Sequence, residues 1–526
     1  MARNVGTTLI AQLLSWAVTL VVTVYVPRYL GPSGMGKLAY AGSYAATFAI
    51  VMGVVNGTVL VREIARDHSR LSELVSNAIL LRIPLGVIVC VAGVWFAHVF
   101  AGPMKYTHEL QELFWIGLAI CVFATANDIL SSALRGLEEI PRQNAAQFTE
   151  KVVGSVAMLY LVWRREPLVY IMATGFVSSA ASFVIYASGI KPYFKGFVRP
   201  RWESSKWLVV ASLPFVSTYL FTNVYGQCDP LLLGRMSDMT NLGWYALAKR
   251  LGGTTLFVPV ALSSAMLPTL SRLYHEDKQL FDNVVRRFIG YMFLLVVPFA
   301  SVLIFAPGPL LRLMHMPSSF NGAIPVVMIL GFSIILWYLT QAAAMALVAS
   351  DCQKVLSRAT AIAAAMTIPC CVACIWFAQR KFGNGAVGAI VSDTAVELYL
   401  AYVYLRALPS GCVSGKQAGV LLKGAIAAIP MVVPLYLVHS SSRWAVLVAL
   451  PGLIMFLPIC YLLRCLGRED IDLVKTALGR KMGLSTDEAM ELAIARGAEV
   501  PLGDDVAIAV SGESQEQIAA VLEAHG

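Results

Sequence analysis

Long apolar runs recur along the chain and constrain its fold more than any other feature. A run of more than about 18 apolar residues can cross a bilayer as a helix, and a helix satisfies its own backbone hydrogen bonds in lipid. Of the 526 residues, 58% are hydrophobic and 13% are charged, whereas soluble proteins carry about 25% charged residues. The sequence therefore predicts an all-α polytopic membrane protein. We place about fourteen transmembrane helices, at Val5–Val26, Lys37–Leu60, Ala78–Phe100, Leu110–Ala133, Ala145–Trp163, Leu168–Ile190, Trp207–Leu233, Leu242–Leu270, Phe288–Ala306, Ala323–Ala349, Ala359–Ala378, Ala386–Leu405, Val420–His439 and Trp444–Leu463.

Basic residues in the predicted loops indicate the orientation of the chain. Between the spans as bounded above, the six even-numbered loops hold 18 Lys and Arg residues, and the seven odd-numbered loops hold 9. Because Lys and Arg concentrate in cytoplasmic loops, we expect the even-numbered loops and both termini to be cytoplasmic.

The end of the chain differs in charge from the rest. Residues 467–526 carry 5 Lys and Arg and 12 Asp and Glu, a net charge of −7. Because the whole chain has a net charge of +9, the remaining residues carry a net charge of +16. A basic membrane part favours anionic lipid head groups and gives no support for nucleic-acid binding. The sequence thus predicts a short, soluble, acidic cytoplasmic tail.

The stretch Pro27–Tyr40, between the first two apolar runs, has two possible interpretations. Gly31-x4-Gly36-Lys37 has the spacing of a phosphate-binding loop, but the next residue is Leu38, where Ser or Thr would bind magnesium. An apolar run precedes it instead of a strand, and the loop charges place it outside the cytoplasm. We therefore predict a tight extracytoplasmic turn between two membrane helices.

A weak internal repeat supports a division of the chain into halves. Leu30-Gly31 after the first run is matched by Leu233-Gly234 after the seventh, at an offset of 203 residues. Transporters built from such repeats bind substrate between the repeats. We expect two six-helix halves at 1–206 and 207–410, two additional transmembrane helices at 411–466, and the tail at 467–526.

Polar side chains inside the predicted spans of the first half are candidates for a substrate path. A charged side chain at the bilayer centre costs about 2.5–3.5 kcal/mol, so it needs a cavity or a partner. Two stripes occur, each of which either lines a lumen or joins packed helices. In the fourth span, four polar residues recur at steps of three and four and therefore share one helix face. They are Thr125, Asp128, Ser132 and Arg135. In the first span, the stripe consists of Thr8, Gln12, Ser15, Thr19 and Thr23.

The second half has a comparable set. Asn223 and Gln227 lie one turn apart in the seventh span, ahead of Asp229, while Lys249 and Arg250 lie about two turns into the eighth. Adjacent residues cannot share a helix face. We therefore expect at least one of the two cations to face a cavity, unless both extend towards the outer surface.

Two acidic residues in the twelfth span are candidates for ion coupling. Asp393 and Glu397 lie one turn apart, where they would bind a proton or sodium, or pair with a basic residue on another helix.

Catalytic and metal motifs are weak. Cys371-x-x-Cys374 lacks a second cysteine pair or nearby histidines. We expect no metal, no cofactor and no enzymatic activity.

Two groups of motifs carry a family resemblance. The first is Asn4, Gln12, Pro27-Arg-Tyr-Leu-Gly-Pro-x-Gly-x-Gly36 and Arg62-Glu63-x-Ala65-Arg66. The second is Asp229-x-x-Leu-Leu233-Gly, followed by Gly243-x-Tyr-Ala-x-Ala-x-Arg250. Together they resemble the Wzx-type polysaccharide-biosynthesis flippases of the multidrug/oligosaccharidyl-lipid/polysaccharide exporter superfamily, over about residues 1–465.

The resemblance implies a V-shaped pair of six-helix bundles with two extra helices, in the cytoplasmic (inner) membrane. It also implies transfer of an undecaprenyl-diphosphate-linked glycan from the cytoplasmic to the outer leaflet, with polysaccharide polymerase or assembly proteins as partners. Arg28 would meet the phosphate of the exported lipid. Alternatives are a drug or organic-cation antiporter of the same superfamily, and a membrane glycosyltransferase or polymerase, which would need large catalytic loops.

Overall fold

The computed structural model describes residues 2–99, 106–198, 202–409, 411–412, 419, 423–437 and 449–463. Residues 1–457 form one compact unit, and a second unit, 458–526, follows. In the second unit only 458–463 are described, so the predicted tail at 467–526 lies outside the described residues.

The regular elements among the described residues are helices. The first seven are α1 (Ala2–Ala49), α2 (Gly57–Arg66), α3 (Leu71–Val99), α4 (His108–Gly136), α5 (Ile140–Arg164), α6 (Leu168–Ile190) and α7 (Trp202–Met236). The next nine are α8 (Met239–Thr255), α9 (Phe257–Glu276), α10 (Lys278–Phe305), α11 (Pro307–Leu313), α12 (Ile324–Ala349), α13 (Gln353–Phe382), α14 (Gly385–Ala407), α15 (Ile429–Leu437) and α16 (Ala449–Leu462).

The length and apolarity of these helices make the chain a membrane protein. Among the described residues, eight helical stretches are long and apolar enough to cross a bilayer, or nine when one bent pair counts as a single span. α5 and α7 cover the predicted fifth and seventh spans. The prediction of an all-α polytopic membrane protein is confirmed.

Side-chain caps start several of the helices. Thr107 accepts from the Leu110 amide at 3.3 Å at the start of α4, and Asp238 accepts from the Asn241 amide at 2.7 Å at the start of α8. Each cap satisfies an amide that has no partner within its own helix. The polar residues between apolar runs therefore set where these membrane helices begin.

The predicted turn after the first span is confined to one residue. α1 is helical on both sides of Gly31, which alone has non-helical angles, φ 65° and ψ 177°. That φ lies in the left-handed region, which glycine adopts without steric cost, and Pro32 follows at the start of the second arm. The glycine-rich stretch is thus a helix break, and no strand precedes it as a phosphate-binding loop would require.

The second arm of α1 crosses α8 at very close range. A Cβ added at Gly36 would collide with the carbonyl oxygen of Met239, and one added at Gly243 would collide with the carbonyl oxygen of Pro32. Each colliding carbonyl lies four residues before the other glycine. The two helices therefore touch backbone to backbone through a reciprocal pair of glycines.

The predicted second span, Lys37–Leu60, is interrupted, which the sequence did not predict. α1 ends at Ala49, a 3-10 helix covers Ile50–Val54, and α2 starts at Gly57. The axis bends by 41° across this break. Asn56 accepts a hydrogen bond from the Thr58 amide at 2.8 Å and caps α2, so the break places a helix N-terminus inside the helical bundle.

The start of α7 packs against the first helices of the chain. Ser204 donates to Glu73 at 2.5 Å, and Ser205 donates to Asn77 at 2.9 Å. Further along α7, Ser212 accepts from the Asn56 amide at 3.0 Å. α7 thus contacts both the helix break before α2 and the start of α3.

Candidate functional site

A polar cavity of about 440 Å³ lies among α1, α2, α3 and α4. Three charged side chains line it: Arg82, Asp128 and Arg135. The backbone enters the lining at Asn56, Gly57 and Thr58, where α2 begins. The cavity therefore combines a net positive charge with the positive end of a helix dipole.

Arg82 on α3 is the most buried of these charges, with 4% of its side chain exposed. Its Nη1 lies 2.7 Å from Asp128 Oδ2 and donates to the Thr125 carbonyl at 3.2 Å. Its Nη2 donates to the Val55 carbonyl at the helix break. One residue thus joins the start of α2 to α4.

The predicted stripe on the fourth span faces this cavity. Thr125, Asp128 and Arg135 line it, and the buried Ser132 accepts from Arg135 Nη2 at 3.1 Å. Gly57 of α2 packs directly on Ser132, because a Cβ there would touch the Ser132 hydroxyl. The structure brings Asp128 and Arg135 together, as their spacing on one helix face predicts.

A second polar cluster lies among α7, α8, α12 and α14. Lys249 Nζ lies 2.9 Å from Asp393 Oδ1, with 33% of the lysine side chain and 3% of the aspartate exposed. The ammonium also lies 4.7 Å from the ring centroid of Trp337, at the distance of a cation–π contact. Asp393 Oδ2 is buried without a hydrogen-bond partner among the described residues.

Two more carboxylates belong to this cluster. Glu397 accepts from Tyr225 at 2.6 Å and from Thr340 at 2.5 Å. Asp229, 2% exposed, accepts from the buried Tyr245 hydroxyl at 3.0 Å. The cluster therefore contains one lysine and three buried carboxylates. Binding of a cation or a proton would reduce this excess of negative charge.

Two predicted arginines connect helices elsewhere. Arg250 Nε donates to the Thr23 hydroxyl at 3.1 Å and joins α8 to the first arm of α1. Arg28 Nε donates to the Met314 carbonyl at 2.6 Å, at the C-terminus of α11, and its guanidinium lies 4.8 Å from the Tyr25 ring. Neither arginine lines the cavity with Arg135.

Two further candidates lie on α7, the helix that carries Tyr225 and Asp229 of the second cluster. Asn223 and Gln227 are half-buried on α7. Gln12 lies on α1, and its side chain lies outside the described residues. Cys371 is buried and faces Asp229, and the described residues contain no group of three or more ligands that could hold a metal ion.

Comparison with known families identifies the chain. Residues 1–274, more than half of its length, match the model of the polysaccharide biosynthesis protein family. The chain belongs to this family. The MatE family model also matches, over residues 214–373. No curated protein matches the sequence.

Solved structures show the same fold as this polysaccharide biosynthesis protein. The lipid II flippase MurJ in an inward closed conformation aligns with a TM-score of 0.67 at 14% identity, over 88% of this chain and 98% of its own. An inward-facing multidrug resistance MATE family transporter of the MOP superfamily aligns with a TM-score of 0.55 at 14% identity, over 76% of this chain and 94% of its own. A mutant of the Vibrio cholerae MATE transporter VcmN aligns with a TM-score of 0.54 at 12% identity, over 77% of this chain and 95% of its own. At such identities the likeness establishes the fold alone. The family match therefore identifies a polysaccharide biosynthesis protein, and the solved structures identify its fold.

Sequence reasoning missed several residues of both sites. Arg82 lies four residues inside the predicted third span, and a charge within an apolar run was the available signal for it. Tyr225 and Thr340 gave no signal, because a hydroxyl group is common in membrane helices and their proximity to Glu397 depends on how three helices pack.

Proposed function

We propose that this polysaccharide biosynthesis protein is a flippase that moves a polyprenyl-diphosphate-linked oligosaccharide from the cytoplasmic to the outer leaflet. The observation that carries the proposal is the cavity lined by Arg82 and Arg135, which is cationic although it lies among membrane helices. A diphosphate needs cationic partners to leave water, and arginine matches the geometry of phosphate oxygens. The lipid tail of the substrate stays in the bilayer.

In this proposal the arginine cavity belongs to the first of two six-helix halves, 1–206 and 207–410, and the substrate path continues between the halves. Two additional helices at 411–466 and a cytoplasmic acidic tail follow. Arg28, Arg250 and the polar residues Gln12, Asn223 and Gln227 lie along the substrate path. Both termini are cytoplasmic in an inner membrane, and polysaccharide polymerase or assembly proteins receive the product. No nucleic acid or cofactor takes part.

Coupling to an ion gradient is assigned to the second cluster. Asp393 and Glu397 are buried beside Lys249, and the second oxygen of Asp393 has no hydrogen-bond partner in the described part of the chain. A proton or sodium ion bound there and released on the other side would draw on the membrane potential, about 2.3 kcal/mol per elementary charge per 100 mV.

The test is glycan export in cells that depend on this chain. Arg135→Ala is the central variant, because Arg135 is exposed to the cavity and its loss should leave folding intact. We expect Arg135→Ala and Arg82→Ala to lower surface glycan at least tenfold, while lipid-linked glycan accumulates inside. Arg28→Ala and Arg250→Ala should also lose export.

Arg272→Ala is the matched control, since Arg272 is two-thirds exposed and pairs with Glu276 on its own helix. It should export normally. The amount of each variant in the membrane is measured in parallel. Normal export by all four site variants, at normal abundance, would contradict the proposal.

A second candidate is a drug or organic-cation antiporter, supported by the MatE match and by the buried carboxylates Asp229, Asp393 and Glu397. A cationic substrate would bind the carboxylates and avoid the arginine cavity. Increased drug resistance in an expressing strain, with glycan export unaffected by deletion of the gene, would favour this candidate.

A further inference from the structure

The break before α2 directs a helix N-terminus at the cavity between α3 and α4. Asn56, Gly57 and Thr58 all line that cavity. Asn56 already accepts from the Thr58 amide, and the helix dipole makes that end of α2 attractive to anions. α2 has ten residues, so it is a full helix.

Arg82 provides an independent sign that an anion belongs there. Its side chain is 4% exposed, and its Nε is buried without a hydrogen-bond partner among the described residues. A buried guanidinium is costly unless a counter-charge pairs with it, so an anion has to lie beside Arg82. Arg135, on the same cavity, adds a second cation.

The only carboxylate among the described residues lining the cavity occupies the place of such an anion. Asp128 Oδ2 lies 2.7 Å from Arg82 Nη1. Its Oδ1 lies 3.6 Å from the position of a Cβ built on Gly57, the first residue of α2. The Asp128 side chain is 49% exposed, so it is held by the site but is not enclosed in it.

We propose that Asp128 is the resident anion of a phosphate-binding subsite beside the start of α2, and that a phosphate group of the substrate displaces it from Arg82. The proposal rests on the proposed flippase function, and it locates the diphosphate within it. The cavity volume of about 440 Å³ is many times the roughly 30 Å³ of a water molecule, so a diphosphate fits. With no substrate bound, Asp128 keeps Arg82 paired.

The test measures binding of inorganic pyrophosphate to the purified full-length protein in lipid nanodiscs, by calorimetry and by thermal unfolding. Asp128→Asn removes the internal anion and keeps the side-chain shape. We expect it to bind pyrophosphate about tenfold more tightly than the wild type, because no carboxylate has to be displaced. Arg82→Gln should lose binding. Equal or weaker binding by Asp128→Asn would overturn the proposal.

Thermal unfolding keeps the test decisive if Asp128→Asn folds poorly. This variant leaves Arg82 without its counter-charge, so its melting temperature should fall and pyrophosphate should restore it, whereas the wild type should shift little. If pyrophosphate does not restore the melting temperature of Asp128→Asn, the proposal is contradicted. Glu112→Gln, which removes a partly exposed carboxylate from the same helix outside the cavity, should behave as the wild type.

Farnesyl diphosphate distinguishes a lipid substrate from free phosphate. It should compete with pyrophosphate for the same site. Pyrophosphate binding without this competition would assign the site to soluble phosphates and overturn the assignment to the lipid substrate. None of these measurements involves export, so they test the subsite separately from the proposed function. A flippase that lacks this subsite would pass the export assay and fail to bind pyrophosphate here, whereas a protein that is not a flippase would fail the export assay.

Discussion

At the scale of single residues, the neighbouring cations Lys249 and Arg250 have separate partners. Lys249 pairs with Asp393 on α14, while Arg250 donates to Thr23 on α1. Adjacent residues on a helix point about 100° apart, so one turn of α8 contacts two different parts of the molecule. The partners of both residues are far away in the sequence and became visible only in the structure.

The Lys249–Asp393 pair yields a stability prediction. Removing one partner of a buried ion pair costs about 3–5 kcal/mol, whereas replacing both with apolar groups is often neutral. Because Lys249 is one-third exposed, we expect Lys249→Met to cost about 3 kcal/mol and to lower the melting temperature in detergent. Lys249→Met/Asp393→Leu should recover most of the loss.

Lys354→Met serves as the control, because Lys354 is exposed near the start of α13. It should unfold as the wild type does. If Lys249→Met is as stable as the wild type, or if the double variant is no more stable than Lys249→Met, the ion pair does not stabilise the cluster as predicted.

At the scale of elements, glycine has two different roles in α1. Gly31 breaks the helix because its φ of 65° is the left-handed conformation that other residues rarely adopt. Gly36 remains helical, and its missing Cβ lets α8 approach, as small residues do in packed membrane helices. The same sequence stretch thus supplies a break and a contact surface one turn later.

The reciprocal contact predicts that both glycines are intolerant of a methyl group. Gly36→Ala and Gly243→Ala each force a side chain against a backbone carbonyl of the other helix. Overpacking costs typically about 1–3 kcal/mol, and a backbone atom yields less readily than a flexible side chain. Both variants should therefore show a lower melting temperature in detergent.

Gly42→Ala is the matched control on the same helix, because a Cβ there meets nothing within 4 Å. Alanine in a helix interior is favoured over glycine by about 0.5–1 kcal/mol, so this variant should be as stable as the wild type or slightly more. Full stability of Gly36→Ala would mean that the helices do not cross so closely in solution.

At the scale of the whole molecule, two contacts between early and late helices stand out among the described residues. One is the crossing of α1 and α8, with Arg28 bonded to Met314 and Arg250 to Thr23. The other is the start of α7, where Ser204 and Ser205 contact α3. If the proposed flippase works by alternating access, at least one of these contacts has to open during transport.

A cross-link at the α7 contact tests whether it opens. Asn77 and Ser205 side chains lie within hydrogen-bond distance, 2.9 Å, so Asn77→Cys/Ser205→Cys in a background without native cysteines places two thiols together. Oxidation should reduce glycan export at least tenfold, and reduction of the disulfide should restore export. Each single cysteine variant should export equally under both conditions. Normal export by the oxidised double variant, with the cross-link verified on gels, would show that this contact stays closed during transport.

The sequence by itself determined the membrane class and the positions of its polar stripes. Apolar runs of bilayer length leave helices as the stable structure in lipid, and steps of three and four residues place Asp128 and Arg135 on one face. These properties depend on local composition and helical geometry. No tertiary information was needed for them, and the motifs in residues 1–465 indicated the family.

Tertiary structure decided which charges meet. The break at Val55–Asn56 lies inside an apolar run that predicts an uninterrupted helix, and it is held by Arg82 and Ser212 from helices distant in sequence. Asp393 pairs with Lys249 across 144 residues. A buried charge is tolerated only where the packing brings a partner to it, and a single sequence specifies its own helices far better than their contacts.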